Sequence, residues 1–397
     1  MVASVRSDYN AAFTKEKYQA FLKELNAVYP TVIDFRIAET PVFVDASFRL
    51  KMEAACEHII DLVKQDSFKA ITDRAIPKAE YIPGNEGYAQ MICFDFGICR
   101  NDQGELIPQL IEMQGFPTMY GFQAFFPEVM RRHFHIPDNY SHFLNGYNYS
   151  TYISMLKQLI LGKYLPEEVV LLEWKPYEQK TLIDFLCTKD YVGIEPVCIS
   201  ELVAEGEALY YMKDNQKIRI RRIFNRVIFD ELNQAAKDRH DLVDLTKPYE
   251  VEWVPHPNWF YRISKFTLPF IKHPYVPETF FLNTIKTLPE DLSKYVLKPL
   301  FSFAGQGVKI DVTKEDIDQI ENPENYILQK KVEYAAVIET PDEPAKAEIR
   351  LMYVWPEGDG RPHLATNLTR LSKGKMIGVR YNQDREWVGG TVSFFEQ

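Results

Sequence analysis

Apolar residues recur at spacings of three and four over residues 14–26 and 46–65, a period that gathers them on one stripe of a helix, so amphipathic helices are expected there. Beyond residue 90 the period changes. YAQMICFDFGIC and LIPQLIEMQG are apolar runs of strand length separated by the polar cluster RNDQGE, which predicts a β-hairpin. Helical spacing returns over 118–163. GKYLPEEVVLLEW then carries a short apolar strand at 169–172, followed by a helix over about 179–189, the strand GIEPVCIS and a second helix beginning at SELV. Strand, helix and strand in that order predict a parallel α/β unit. ALYYMKDNQKIRIRRIF predicts a further hairpin turning at DNQ.

A polar, proline-bearing connection, KDRHDLVDLTKPYEVEWVPHPNW, sets a domain boundary near 250. After it come strands with few helices: KYVLKPLFSFAGQGVKIDV as strand, glycine-bearing loop and strand, then YILQKKV, AEIRLMYVW, ATNLTRLS and KMIGVRY, a pattern that predicts an α+β domain with an antiparallel sheet. The expected division is therefore 1–90 helical, 91–165 hairpin and helices, 166–250 an α/β unit, and 251–397 the α+β part. Residues 1–90 fit a wall of a substrate site or a contact between copies of the chain equally well.

Composition narrows the classes. A chain of 397 residues that is 46% apolar and 26% charged has a large core and is neither a disulfide-stapled miniature nor a disordered chain. With 56 acidic against 46 basic residues the net charge is −10, which argues against a nucleic acid partner held by phosphate contacts. Five cysteines, with no C-x-x-C pair, read as reduced thiols of a cytoplasmic protein. The chain shows neither an apolar leader nor an apolar run of membrane-spanning length, so no export and no membrane association are expected.

Three groups of residues carry candidate chemistry. If the first hairpin turns between Asp102 and Gln103, Asp95 lies opposite Leu110 and Cys93 opposite Glu112, and alternation puts Asp95, Glu112 and Gln114 on one face. Two carboxylates and an amide oxygen suit Mg2+. The same residues also fit a solvated hairpin face or an Asp paired with a nearby Arg, and a bulge would change the parity. In the second group, Lys298 and Pro299 lead into a small-residue loop containing Ser302, Gly305, Gln306 and Gly307, where an ammonium and free amides suit phosphate; a simple glycine-bearing turn is the alternative. The third is a string of arginines on expected strands: Arg221, Arg222, Arg226, Arg350, Arg370 and Arg380. His133 and His135 lack a third metal ligand of matching spacing, and G-x-S-x-G is absent.

Taken in order, these segments resemble the ATP-grasp superfamily, and their arrangement resembles its circularly permuted branch, which includes glutathionylspermidine synthetase-like carboxylate–amine ligases. RISKFTLPFIKHPYVPETFFL, YVLKPLFSFAGQGVKI and YILQKKV follow the family order of first lysine, Lys-Pro with flap, and adenine hinge, whereas the metal-type hairpin comes first instead of last. The resemblance implies two α+β subdomains around a nucleotide cleft, with a pre-ATP-grasp α/β unit over 168–226 that helps bind a second substrate. It implies that ATP is bound by Lys265, Lys298, the flap at Ser302 to Gly307, and the hinge Gln329, Lys330, Lys331 and Val332, with Mg2+ on Asp95, Glu112 and Gln114. Arg222, Arg350 and Arg370 match residues that touch phosphate, the acyl intermediate or the second substrate. Gln114 stands where the family has Asn, and Gln329 where the hinge is often acidic. The implied reaction joins a small-molecule or peptide carboxylate to an amine through an acyl phosphate. A phosphotransferase on the same fold and a nucleotide-binding protein without turnover are the alternatives, and the oligomeric state, homo-oligomeric or not, stays open.

Overall fold

Strand Met91–Arg100 is the axis of the molecule, with every residue but Arg100 buried. On one side it pairs antiparallel with Leu106–Gln114, and on the other with Lys346–Val354, which continues through His363–Ser372 to Gly389–Thr391 in a five-stranded antiparallel sheet. Hydrophobic strands from the two ends of the sequence thereby form one ladder, with Asp95 opposite Arg350, 255 positions away. The computed structural model describes the 397-residue chain except residues 238, 240, 301–306, 375, 376, 378–381 and 383.

The first hairpin differs in register from the expectation. The turn spans one position more, so Phe96 opposes Leu110, and a bulge at Ile111 then sets Asp95 opposite Glu112 and Cys93 opposite Gln114. Each shift alone would send the acids to opposite faces; together they restore the parity. Asp95, Glu112 and Gln114 share a face, while Phe94, Phe96, Leu110 and Met113 enter the main core behind it.

Leu106–Gln114 is an edge strand, and the chain uses the unpaired edge. The Leu110 and Gly115 amides donate to the carbonyls of Tyr275 (2.8 Å) and Ile263 (3.0 Å), and Gln109 Nε2 donates to Pro274 (3.2 Å). These bonds lay the segment around Lys265 along the acidic strand. That segment leads into a three-stranded antiparallel sheet in which Tyr326–Lys330 lies between Thr279–Phe281 and Tyr295–Pro299. The strand expected after the glycine-bearing loop is reduced to one bridge, Lys309 to Leu297, and the one expected at KMIGVRY falls mostly outside the described residues.

The parallel α/β unit is present, with Val169–Glu173 and Glu195–Cys198 joined by helix Leu182–Val192. Two of its details depart from expectation. SELV begins no helix: a single 3-10 turn, Ile199–Glu201, gives way to strand Val203–Glu205. The hairpin ends at Ile220, after turning through Asp214 and Asn215, both left-handed as a two-residue turn requires, and Arg222–Asn225 becomes a buried parallel strand beside Val169–Glu173. Apolar residues on both faces of that strand outweigh continuation of the local hairpin.

Residues 1–90 are largely helical, including Lys15–Val28 and Ala46–Val63, but also hold strand Val42–Val44, which pairs in parallel with Ser393–Glu396. A run of three apolar residues carries no period, so the sequence pattern does not disclose it. Among the described residues no helix is long and apolar enough to cross a membrane.

Gly115 sits at the seam between the acidic strand and the Lys265 segment, and a Cβ there would lie 2.4 Å from the Trp259 carbonyl oxygen. Gly115→Ala must therefore push the two segments apart, and we expect a loss of about 1–3 kcal/mol in a urea denaturation series. An unchanged midpoint and slope would show that the seam yields freely.

Candidate functional site

The site is built on the face of the five-stranded sheet that carries Asp95, Glu112, Glu348, Arg350 and Arg370. Asp95 is buried, and Arg350 grips it with two parallel bonds, Nε to Oδ1 and Nη2 to Oδ2, both 2.6 Å. Arg370 Nη2 adds a third at 2.8 Å and also pairs with Glu348, whose other oxygen accepts the Tyr334 hydroxyl at 2.6 Å. Gly97 makes room for this arrangement, since a Cβ there would meet the Tyr334 ring at 2.6 Å. Burial favours a neutral Asp95, but Arg350 and then Arg370 outweigh it and hold the carboxyl below its ordinary range. Glu348 is pushed up by burial, which Arg370 only partly offsets.

Of the three oxygen donors expected to hold Mg2+, Asp95 is the one that pairs with arginine. Glu112 is half-buried and, among the described residues, accepts a bond from Gln114 Nε2 at 3.3 Å. Among the described residues no three His, Cys, Asp or Glu side chains group as a metal site.

Two lysines on neighbouring segments are within electrostatic reach of Glu112. Burial lowers Lys265 to about 8, with Glu112 opposing the shift and Lys298 reinforcing it. Lys298 is lowered by burial as well, against the pull of Glu112 and Glu348. Burial thus penalises the charge of both lysines, and Glu112 partly offsets the penalty. Lys298 donates to Gln329 Oε1 at 2.6 Å, and Gln329 in turn donates to Thr279 Oγ1 at 3.2 Å. Strand pairing puts Lys298, Gln329 and Thr279 on one face of the small sheet.

In the expected hinge, the amides of Lys330 and Lys331 are spent on the carbonyls of Glu278 and Lys294, and the Lys331 ammonium lies 3.5 Å from Asp311. Val332 follows, half-buried. Ser302, Gly305, Gln306 and Arg380 lie outside the described residues; Gly307 takes a left-handed backbone (φ 68°) against Pro299.

Arg222 is not brought to this cluster. At the start of its strand it pairs with Glu252 and caps helix Tyr149–Leu161 through the carbonyls of Leu159 and Ile160, which is a structural commitment. The arginine just past the other end of that strand, Arg226, is the one that approaches the five-stranded sheet. Arg226 pairs with buried Asp184, lies 4.7 Å from the Phe185 ring centre, and together with Arg350 acts on the Cys93 thiol, which burial pushes up to about 11. It thus stands where the α/β unit meets the five-stranded sheet. Beside it, Glu173 is pushed by burial to about 7. Arg226 Nε, Asn225 Nδ2 and Arg370 Nε are buried donors with no acceptor among the described residues. The carboxyl ends of parallel strands are where α/β units bind ligands, a rule that favours Arg226 over Arg222. Glu348 and Tyr334 carry no motif; only the strand register reveals them. A separate depression of about 290 Å³, bordered by Glu80, Phe229 and Leu245, contains none of these residues.

No family model and no curated protein matches the chain. Among solved structures it is similar to a glutathione synthetase-like effector from Globodera pallida in its apo form, at 11% identity and a TM-score of 0.60, over 100% of this chain and 99% of that one. The likeness is one of fold: a mixed α+β architecture of several sheets shared along the whole length.

Proposed function

We propose that the chain is an ATP-grasp ligase of permuted order that joins a carboxylate to an amine. The observation that carries the reading is the backbone seam from Leu110 and Gly115, which lays the Lys265 segment along the strand bearing Glu112, with Lys298 lowered by burial against the pull of the same carboxylate. Whole-length likeness to a glutathione synthetase-like fold supports it. In this reading Lys265, Lys298 and the flap hold the triphosphate, and the base lies against the hinge near Val332. Glu112 and Gln114 fit Mg2+ as a carboxylate–amide oxygen pair sharing a face, with Asp95 withheld. When bound, Mg2+ would offset charge on the transferring phosphoryl group.

The acid's carboxylate oxygen attacks the γ-phosphorus and ADP leaves, giving an acyl phosphate; the amine nitrogen then attacks the acyl carbon and phosphate leaves. Arg350 and Arg370 stabilise oxyanion charge on the carboxylate side. Arg226, Asn225 and Glu173 form a second polar group at the α/β unit, suited to the other substrate. Free, buried thiols and an ATP substrate agree with a cytoplasmic setting. The competing reading, nucleotide binding without turnover, rests on Asp95 being held by two arginines.

Two measurements test the reading. ATP, Mg2+ and a mixed library of acids and amines should yield ADP together with a product lighter than its parents by one water, and Lys298→Ala should cost about 2.7–4 kcal/mol in activation free energy while the fold survives. ADP without an amide would favour phosphotransfer, and no ADP at all would favour the non-catalytic reading.

The second measurement uses pH. With its folded pKa near 8 against an ordinary 10.5, Lys265 makes the fold gain stability as pH rises through that window, because the unfolded chain holds the proton more tightly. A bound triphosphate favours the ammonium, so a nonhydrolysable ATP analogue should take up a proton on binding and bind more weakly as pH rises past about 8. Calorimetry in buffers of different ionisation enthalpy reads this directly. Lys265→Arg should abolish the proton uptake, and uptake that persists in this variant would assign it elsewhere.

A further inference from the structure

We infer that Asp95 is a positioning residue: it anchors a hydrogen-bonded chain, Tyr334–Glu348–Arg370–Asp95–Arg350, that presets the two guanidinium groups as a receptor for an oxyanion, and it is not a metal ligand. The inference rests on the ligase reading only for the identity of the anion.

Three observations carry it. Both oxygens of Asp95 are taken, by two bonds from Arg350 and one from Arg370. A cation could reach that carboxylate only by displacing a guanidinium from a buried pair, which leaves a charge unpaired in low dielectric. Arg370 is tied from its other side to Glu348, and Glu348 to Tyr334, so the side chain is held between two carboxylates and its rotamer is set before any ligand arrives. Despite this bracing, the Arg370 side chain stays 36% exposed. A braced arginine with an open edge is suited to an incoming oxygen acceptor.

The backbone agrees with the side chains. Glycine at position 97 leaves the space that the Tyr334 ring fills, so the hydroxyl reaches Glu348 over the same strand that carries Asp95. The oxyanion could be a carboxylate of the acid substrate or a phosphate of the nucleotide; both are planar or tetrahedral acceptors that arginine recognises.

The test uses the full chain and two binding measurements that need no turnover. In the first, Mn2+ is titrated in the presence of a nonhydrolysable ATP analogue, and free Mn2+ is read by electron paramagnetic resonance. Asp95→Asn should hold Mn2+ within about threefold of the parent, whereas Glu112→Gln should lose about tenfold or more. In the second, tripolyphosphate and succinate are titrated in EDTA by calorimetry. Asp95→Asn and Tyr334→Phe should weaken whichever anion the receptor takes, by about tenfold and about threefold respectively. The anion affected identifies the source.

Asp95→Asn leaves Arg350 without its partner and could unfold the chain; Tyr334→Phe removes a single hydroxyl at the far end and keeps the test alive, with its melting temperature as the control. Loss of Mn2+ in Asp95→Asn equal to that in Glu112→Gln would overturn the inference, as would unchanged affinity of Tyr334→Phe for both anions. Failure of the parent chain to bind the ATP analogue would instead count against the ligase reading, because the EDTA arm reads the arginine receptor without nucleotide.

Discussion

The ion pairing of Asp95 with Arg350 and Arg370 is the constraint around which the rest of the site is arranged. It joins residues 255 and 275 positions apart, across a ladder that runs through the middle of the molecule. Buried pairs of this kind contribute little net stability, because desolvation consumes most of the Coulombic gain. Their effect is on uniqueness: any slip of Met91–Arg100 against Lys346–Val354 would strand a carboxylate in the core. Apolar burial along the same ladder supplies the driving force, and the charge pair selects the register.

Charge is distributed against the average of the chain. The whole sequence carries −10, yet Lys265, Lys298, Arg350 and Arg370 outnumber Asp95, Glu112 and Glu348 where the segments meet. A locally cationic cluster thus sits inside a chain that is acidic overall, and the surplus of acidic residues opposes approach of polyanions to the general surface. The edge-strand bonds from Leu110 and Gly115 make this concentration of like charge structurally affordable, since they fix the Lys265 segment through backbone groups instead of through the lysines.

The parity of Asp95, Glu112 and Gln114 shows how a correct conclusion can rest on compensating details. The turn is one position longer than apolar patterning suggests, and the bulge at Ile111 adds another. Since side chains alternate with a period of two, a pair of single shifts is invisible at the acids and visible only in which apolar residues face the core. Arg222 shows the opposite outcome. Both it and Arg226 sit in IRRIFNR, and nothing in that string distinguishes a helix-capping arginine from one at the carboxyl end of a parallel strand.

Local periodicity by itself determined the first hairpin, the helices at 15–28 and 46–63, the α/β unit and the strand character of the last third, because the spacing of apolar residues marks each element before its partner is chosen. The presence of Lys265, Lys298, Glu112 and the arginines was equally plain. Tertiary structure alone decided which of them meet. Whether Asp95 meets two arginines, and whether Arg222 or Arg226 approaches the sheet, depends on strand register and on pairing between distant segments. Those are settled by burial summed over whole sheets, a quantity no short window of sequence contains.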